Sequence, residues 1–120
     1  MNMLHRPFCA ALLASLLLPA WAAGPSPAYP VKPVHIVVPY PPGGSADLIG
    51  RMIGDKLSKS MGQPFVVENK PGATGAIGSE FVARADPDGY TLLVAIADTH
   101  AINPAVVPKL PYDPVKDFTP

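Results

Sequence analysis

The sequence holds a single cysteine, Cys9, and it lies inside an N-terminal apolar segment. The rest of the chain has no disulfide framework available and must rely on its core. An excess of one charge is lacking too: nine Lys and Arg balance nine Asp and Glu, with neither a basic patch nor a run of like charges. A nucleic-acid surface therefore has no electrostatic support, and that class is set aside. The apolar run from Phe8 to Leu18 is too short to span a bilayer. A catalytic constellation is missing as well. No Ser and His have a spacing that makes a nucleophile and its base, and neither His5 nor His35 is placed to join His100 in a metal site, so no cofactor is expected.

The short apolar run reads instead as a leader. His5 and Arg6 precede it, and Pro19-Ala20-Trp21-Ala22 closes it, with Ala20 and Ala22 in the A-x-A pattern of a secretory signal. The pattern predicts a signal peptide over residues 1–22, cleaved after Ala22, with a signal anchor as the alternative. Cys9 inside the run, not just after it, argues against a lipoprotein. Cleavage removes Arg6 and no acid, which leaves eight basic against nine acidic side chains. Residues 23–33 follow as an extended lead-in, with four prolines between Gly24 and Pro33.

From Val34 the pattern becomes regular. The β-branched run Val34, Ile36, Val37 and Val38 predicts a strand, and Pro39 to Gly44 a tight turn. A helix is expected from about Ser45 to Met61, with Ser45 as N-cap and Leu48, Ile49, Met52, Ile53 and Leu57 as its buried stripe. Asp47 suits the first turn of that helix and is in reach of Arg51; a direct role with an amine-bearing ligand is the alternative. Phe65 to Glu68 reads as a second strand. A second helix is expected from about Thr74 to Arg84, burying Ile77, Phe81, Val82 and Ala85. Tyr90 to Ile96 reads as a third strand, covered on both faces. Beyond it a helical turn is expected near Asn103 to Val107, and extended chain or turns after that.

The order β-α-β-α-β predicts an α/β fold with a parallel sheet. Ligands of such sheets gather at the carboxyl ends of the strands, where Pro41–Asp47, Pro71–Gly75 and Asp98–Asn103 all fall. Gly43, Gly44, Ser45, Ala46 and Asp47 open the first helix, and Gly72, Ala73, Thr74 and Gly75 open the second. Small residues at both places leave backbone amides open to an anion. The glycines at 72, 75 and 78 also invite a nucleotide reading, but G-x-x-G-x-x-G is neither the dinucleotide nor the phosphate-loop spacing. Thr99 and His100 border the same edge, either as ligand contacts or as locally hydrogen-bonded loop residues.

At this point the stretches YPVKPVHIVVPYPPGGSADLIGR, GQPFVVENKPGATGAIGSEFVARADPDGYTLL, THAINP and LPYDPVKDF resemble the periplasmic solute receptors of tripartite tricarboxylate transporters, the Bug or TctC-like family. The resemblance covers nearly all of the chain after the leader. It implies a two-lobed α/β fold of the type II periplasmic-binding-protein kind, of which residues 34–120 are a truncated N-terminal part of one lobe. It further implies capture of small carboxylates by backbone amides and ordered water, delivery to membrane transporter subunits, a periplasmic monomer and no enzymatic activity. Gly43 to Asp47, Gly72 to Gly75, Thr99 and His100 are the positions that carry over as ligand-binding. Without an opposing lobe the chain is expected to bind weakly or not at all. The other readings are a truncated remnant without binding activity and, third, an exported nucleotide-binding enzyme.

Overall fold

Five residues, VHIVV, form the central strand β1 (Val34–Val38), and only His35 among them is exposed. The computed structural model describes residues 28–120; the leader, its cleavage point and the start of the lead-in lie outside the described residues. Strand β2 (Phe65–Asn69) runs parallel to β1, with Val34 opposite Phe65 and Val38 opposite Asn69. Strand β3 (Thr91–Leu93) runs parallel on the other side, with His35 opposite Thr91, which gives the order β2-β1-β3. Helix α1 (Ser45–Met61) crosses from β1 to β2, and helix α2 (Ala76–Ala83) from β2 to β3. This is the expected α/β arrangement. All three strands therefore end at one sheet edge, and the turns into both helices begin there.

The faces that pack are not the expected ones. Leu48 is 61% exposed and Met52 54%, with Ile49 and Ile53 similar; of the anticipated stripe Leu57 alone packs on the core. Helix α1 buries Ala46, Asp47, Gly50 and Gly54 instead. The reason is close approach: a Cβ on Gly50 would stand 2.9 Å from Val38 Cγ2, and one on Gly54 3.3 Å from the Phe65 carbonyl oxygen. Small residues let the helix lie directly on the sheet, so the bulky stripe turns outward. In α2 the same substitution of faces occurs. Ala76, Gly78 and Ser79 are buried, Ile77 and Phe81 are about half exposed, and Val82 and Ala85 are half-buried.

Strand β3 is also shorter than Tyr90–Ile96. It has one neighbour, and its three residues are half-buried; a bond from Val94 N–H to the Val37 carbonyl at 2.9 Å prolongs the ladder. The core gathers Val34, Ile36 and Phe65 with Leu57, Val67, Tyr90, Leu92 and Val94. The lead-in is strapped to the turn before β3. Tyr29 Oη donates to the Gly89 carbonyl at 2.6 Å, Val31 N–H donates to Tyr90 Oη at 3.0 Å, and Lys32 Nζ lies 3.3 Å from Asp88. Among the described residues no helix is long and apolar enough to cross a membrane.

Candidate functional site

The first loop is organised by Asp47. Its Oδ2 accepts from the Gly43 N–H at 2.9 Å and from Arg51 Nε at 3.0 Å, and its Oδ1 from Asn69 Nδ2 at 2.9 Å. The Arg51 hydrogen bond, then the Gly43 amide and the Asn69 amide, hold this carboxyl well below the usual carboxylate range. With its oxygens so occupied and its side chain buried, Asp47 shapes the turn. The ion pair with Arg51 anticipated from spacing is present, with Arg51 Nη2 3.0 Å from Asp47 Oδ1.

Ser45 does not cap α1. Gly44 takes the N-cap place with extended backbone, φ −82° and ψ 175°, and Ser45 is the first helical residue. Leu48 has the first α1 amide to find a carbonyl, that of Gly44 at 3.0 Å. Among the described residues the amides of Ser45 and Ala46 meet no protein acceptor, and no side chain caps them. Gly43, Gly44 and Ser45 are exposed and Ala46 is buried, so at this end of a 17-residue helix the Ser45 N–H is the open group that lies at the surface.

In the second loop four successive residues have positive φ: Gly72 at 134°, Ala73 at 47°, Thr74 at 52° and Gly75 at 83°. Two of them carry side chains, one β-branched, and such a conformation costs roughly 1–2 kcal/mol per residue. This left-handed turn occupies Ala73–Gly75, which is why α2 starts at Ala76 and not at Thr74. It is locked from outside. Asn103 Nδ2 donates to the Thr74 carbonyl at 2.9 Å, Ser79 Oγ donates to the Gly75 carbonyl at 2.9 Å, and the Gly75 N–H closes onto the Gly72 carbonyl at 3.0 Å. Among the described residues the Ala73 and Thr74 amides meet no protein acceptor, and both residues are exposed.

The third loop is a π-helical stretch, Asp98–Ile102, running into a short helix α3 (Asn103–Val106). Thr99 is fully buried; its hydroxyl donates to the Ile96 carbonyl at 3.0 Å and lies 3.0 Å from His100 Nδ1. His100 is half-buried with its ring 4.8 Å from that of Phe118, and burial lowers its pKa, favouring the neutral imidazole. Gly75 joins this loop to the second. A Cβ there would stand 2.7 Å from Thr99 Cγ2 and 3.0 Å from Tyr40 Oη. Tyr40 in turn donates to Asp98 Oδ2 at 3.2 Å, and burial, then this bond, pushes its pKa up to about 12.

Thus Gly75 of the second loop meets Thr99 of the third beside Tyr40, with His100 next to Thr99, and the Gly43–Asp47 turn is tied in through Asn69, which donates to the Tyr40 carbonyl at 3.0 Å. Sequence reasoning missed Tyr40, Asp98, Asn103 and Tyr112, whose hydroxyl donates to the Thr99 carbonyl at 2.6 Å. Asn103 meets Thr74 across 29 residues, a link no local pattern signals. Glu68, near the end of β2, pairs with His35 at 2.5 Å and Lys70 at 3.7 Å. A concavity of about 560 Å³ lies elsewhere, under the C-terminal segment between Pro104 and Asp117. None of the three loops' proposed contact residues lines it; the candidate site is an open edge.

An open parallel sheet that carries small-residue loops and free amides at its carboxyl edge defines an α/β ligand-binding lobe. Residues 49–120, more than half of the chain, match the sequence model of the tripartite tricarboxylate transporter family receptor, and the chain belongs to that family. It is 41% identical over 93 residues to protein BugT of Bordetella pertussis, covering 77% of this chain and 28% of BugT. MatC of Rhodopseudomonas palustris, solved with bound malate, superposes with a TM-score of 0.74 at 46% identity, over 77% of this chain and 31% of MatC. Rpa4515 of R. palustris, solved with adipate, gives a TM-score of 0.74 at 40% identity, over 77% and 31%. The chain thus spans about a third or less of the length of the curated relatives it matches, 32% in one and 28% in BugT. The described elements correspond to part of one lobe.

Proposed function

We propose that this chain is the N-terminal part of an exported periplasmic receptor that captures small carboxylates for a transporter of the tripartite tricarboxylate type. Residues 1–22 act as its signal peptide, residues 23–33 as a lead-in, and residues 34–120 as the ligand-facing part of a lobe. The chain acts as a monomer and binds without chemistry. The observation that carries this reading is the pair of open amide sets, Ser45 with Ala46 and Ala73 with Thr74, at one sheet edge. Malate in MatC and adipate in Rpa4515 are ligands of the matching chemistry.

Magnitudes set the expected strength. Micromolar affinity needs about 8 kcal/mol, whereas two helix N-termini supply at most roughly 2 kcal/mol each. The chain alone therefore binds in the millimolar range. The half-exposed Leu48, Ile49, Met52 and Ile53 favour a second reading, a remnant that does not fold or bind by itself. A cooperative thermal melt separates the two.

The direct test is an amide-shift titration with malate and adipate, comparing the unaltered chain with Ser45→Pro. Proline is tolerated at the first helical position and removes one open N–H; the extended Gly44 suits the place before it. Shifts at Ser45, Ala46, Ala73 and Thr74 in the unaltered chain, with those at Ala46, Ala73 and Thr74 weakened in Ser45→Pro, support the receptor reading. A folded chain whose loop amides ignore both ligands overturns it.

A further inference from the structure

The third loop contains a carbonyl that its own helical pattern cannot satisfy. In a π-helical stretch a carbonyl meets the N–H five residues on, and here the Asp98 carbonyl takes that of Asn103. The next bond of the series would run to the Thr99 carbonyl from residue 104, which is proline and has no N–H. Thr99 is fully buried, so leaving this acceptor unpaired would be costly. Tyr112 supplies the donor instead. Its buried hydroxyl reaches the Thr99 carbonyl at 2.6 Å from the C-terminal segment.

What this bond fixes bears directly on the second loop. Thr99 Cγ2 comes so close to Gly75 that a Cβ there would stand 2.7 Å from it, and Asn103, further along the same stretch, donates through Nδ2 to the Thr74 carbonyl at 2.9 Å. Thr74 sits at φ 52°, and among the described residues its amide meets no protein acceptor. A shift of residues 98–103 therefore moves both contacts on the left-handed turn. We infer that Tyr112 is a positioning residue of the candidate carboxylate site: it stands in for the N–H that Pro104 lacks, fixes the stretch carrying Thr99 and Asn103, and through them sets the Ala73 and Thr74 amides. The inference rests on the receptor reading above and concerns how its second loop is held. Tyr112 acts only through the backbone it holds. Its ring packs edge-on against Phe118 at 5.9 Å and lies 6.4 Å from His100, contacts that Tyr112→Phe leaves in place.

Amide-shift titrations of the full chain with malate read the effect at Ala73 and Thr74. Tyr112→Phe should weaken malate about fivefold, the net worth of one hydrogen bond. In Asn103→Ala, where the link to Thr74 is already cut, Tyr112→Phe should add less than it does alone, because the two changes share a path. Pro104→Ala provides an N–H at the missing place, and in the Tyr112→Phe chain it should return both stability and affinity. Ser58→Ala serves as control. It removes bonds to the Gly54 carbonyl and the Phe65 N–H at the start of β2, and should lower the urea midpoint with malate affinity unchanged. A Tyr112→Phe chain that loses urea stability yet keeps its malate affinity overturns the inference and leaves the receptor reading standing. So do losses that multiply in full in the double variant, or an affinity that Pro104→Ala does not recover. If the unaltered chain folds and ignores malate, the receptor reading falls and the inference with it.

Discussion

Asp47 Oδ1 accepts a 2.9 Å hydrogen bond from Asn69 Nδ2, which joins the first turn of α1 to the last residue of β2. Through it the turn that leaves the Ser45 and Ala46 amides without a protein acceptor is anchored to the sheet. Since the Asp47 pKa is depressed in the folded state, its stabilising effect is complete above the ordinary carboxylate value of about 4 and is lost as pH falls through and below it. Urea midpoints of the unaltered chain should therefore fall between about pH 5 and pH 2. Asp47→Asn should show a flatter profile over that window; parallel profiles for the two proteins would remove Asp47 from this account.

Gly78 is where α2 comes closest to the sheet edge. A Cβ there would stand 2.7 Å from Pro39 Cβ and 2.8 Å from the Lys70 carbonyl oxygen, and neither neighbour is the end of a flexible side chain. Gly78→Ala should cost about 1–3 kcal/mol in urea unfolding. Gly44→Ala, whose added carbon meets nothing nearer than 3.8 Å, should cost less, about 0.5–1 kcal/mol from the poorer N-cap alone. Equal effects at the two positions would contradict the close packing.

Asn103 is buried and spends its amide on the Thr74 carbonyl. Of the bonds that hold the left-handed turn, it is the one made directly to Thr74. Asn103→Ala should destabilise by about 1–3 kcal/mol, the penalty for unmaking a buried hydrogen bond. It should also broaden the amide resonances of Ala73 and Thr74 while those of Ser45 and Ala46 stay sharp. Uniform broadening would mean general loosening instead.

Much of this was legible in the sequence because it depends on local chemistry. The run Val34–Val38, the glycine at 62 that ends α1 at φ 72°, and the order of strands and helices all follow from periodicity and turn residues. The buried faces were not, since hydrophobic spacing assigns Leu48 and Met52 inward, whereas the distance between helix and sheet is set by Gly50 and Gly54. Small residues carry little hydropathy, so their face is silent in a pattern search. At the site, the two glycine-rich loops announced themselves. Tyr40, Asp98 and Asn103 did not, because each acts through a partner 29 or 58 residues away that only the folded sheet brings near.

His100 offers a check on how the C-terminal segment closes over the third loop. Its ring forms a three-ring cluster with Tyr112 and Phe118, at 6.4 Å and 4.8 Å from their centres, and burial alone lowers its pKa from the ordinary value of 6.5. The neutral ring keeps its Nδ1 3.0 Å from the Thr99 hydroxyl. As pH falls through the ordinary value, the unfolded chain takes up a proton before the folded one, so this contribution to stability is full above that value and declines below it. The His100 ring resonances should accordingly titrate below 6.5 in the unaltered chain. Phe118→Ala uncovers the ring and should move the midpoint upward, because water then solvates the imidazolium. A midpoint at or above the ordinary value, or one that Phe118→Ala leaves in place, would show that the segment from Tyr112 to Phe118 does not pack on His100 in solution.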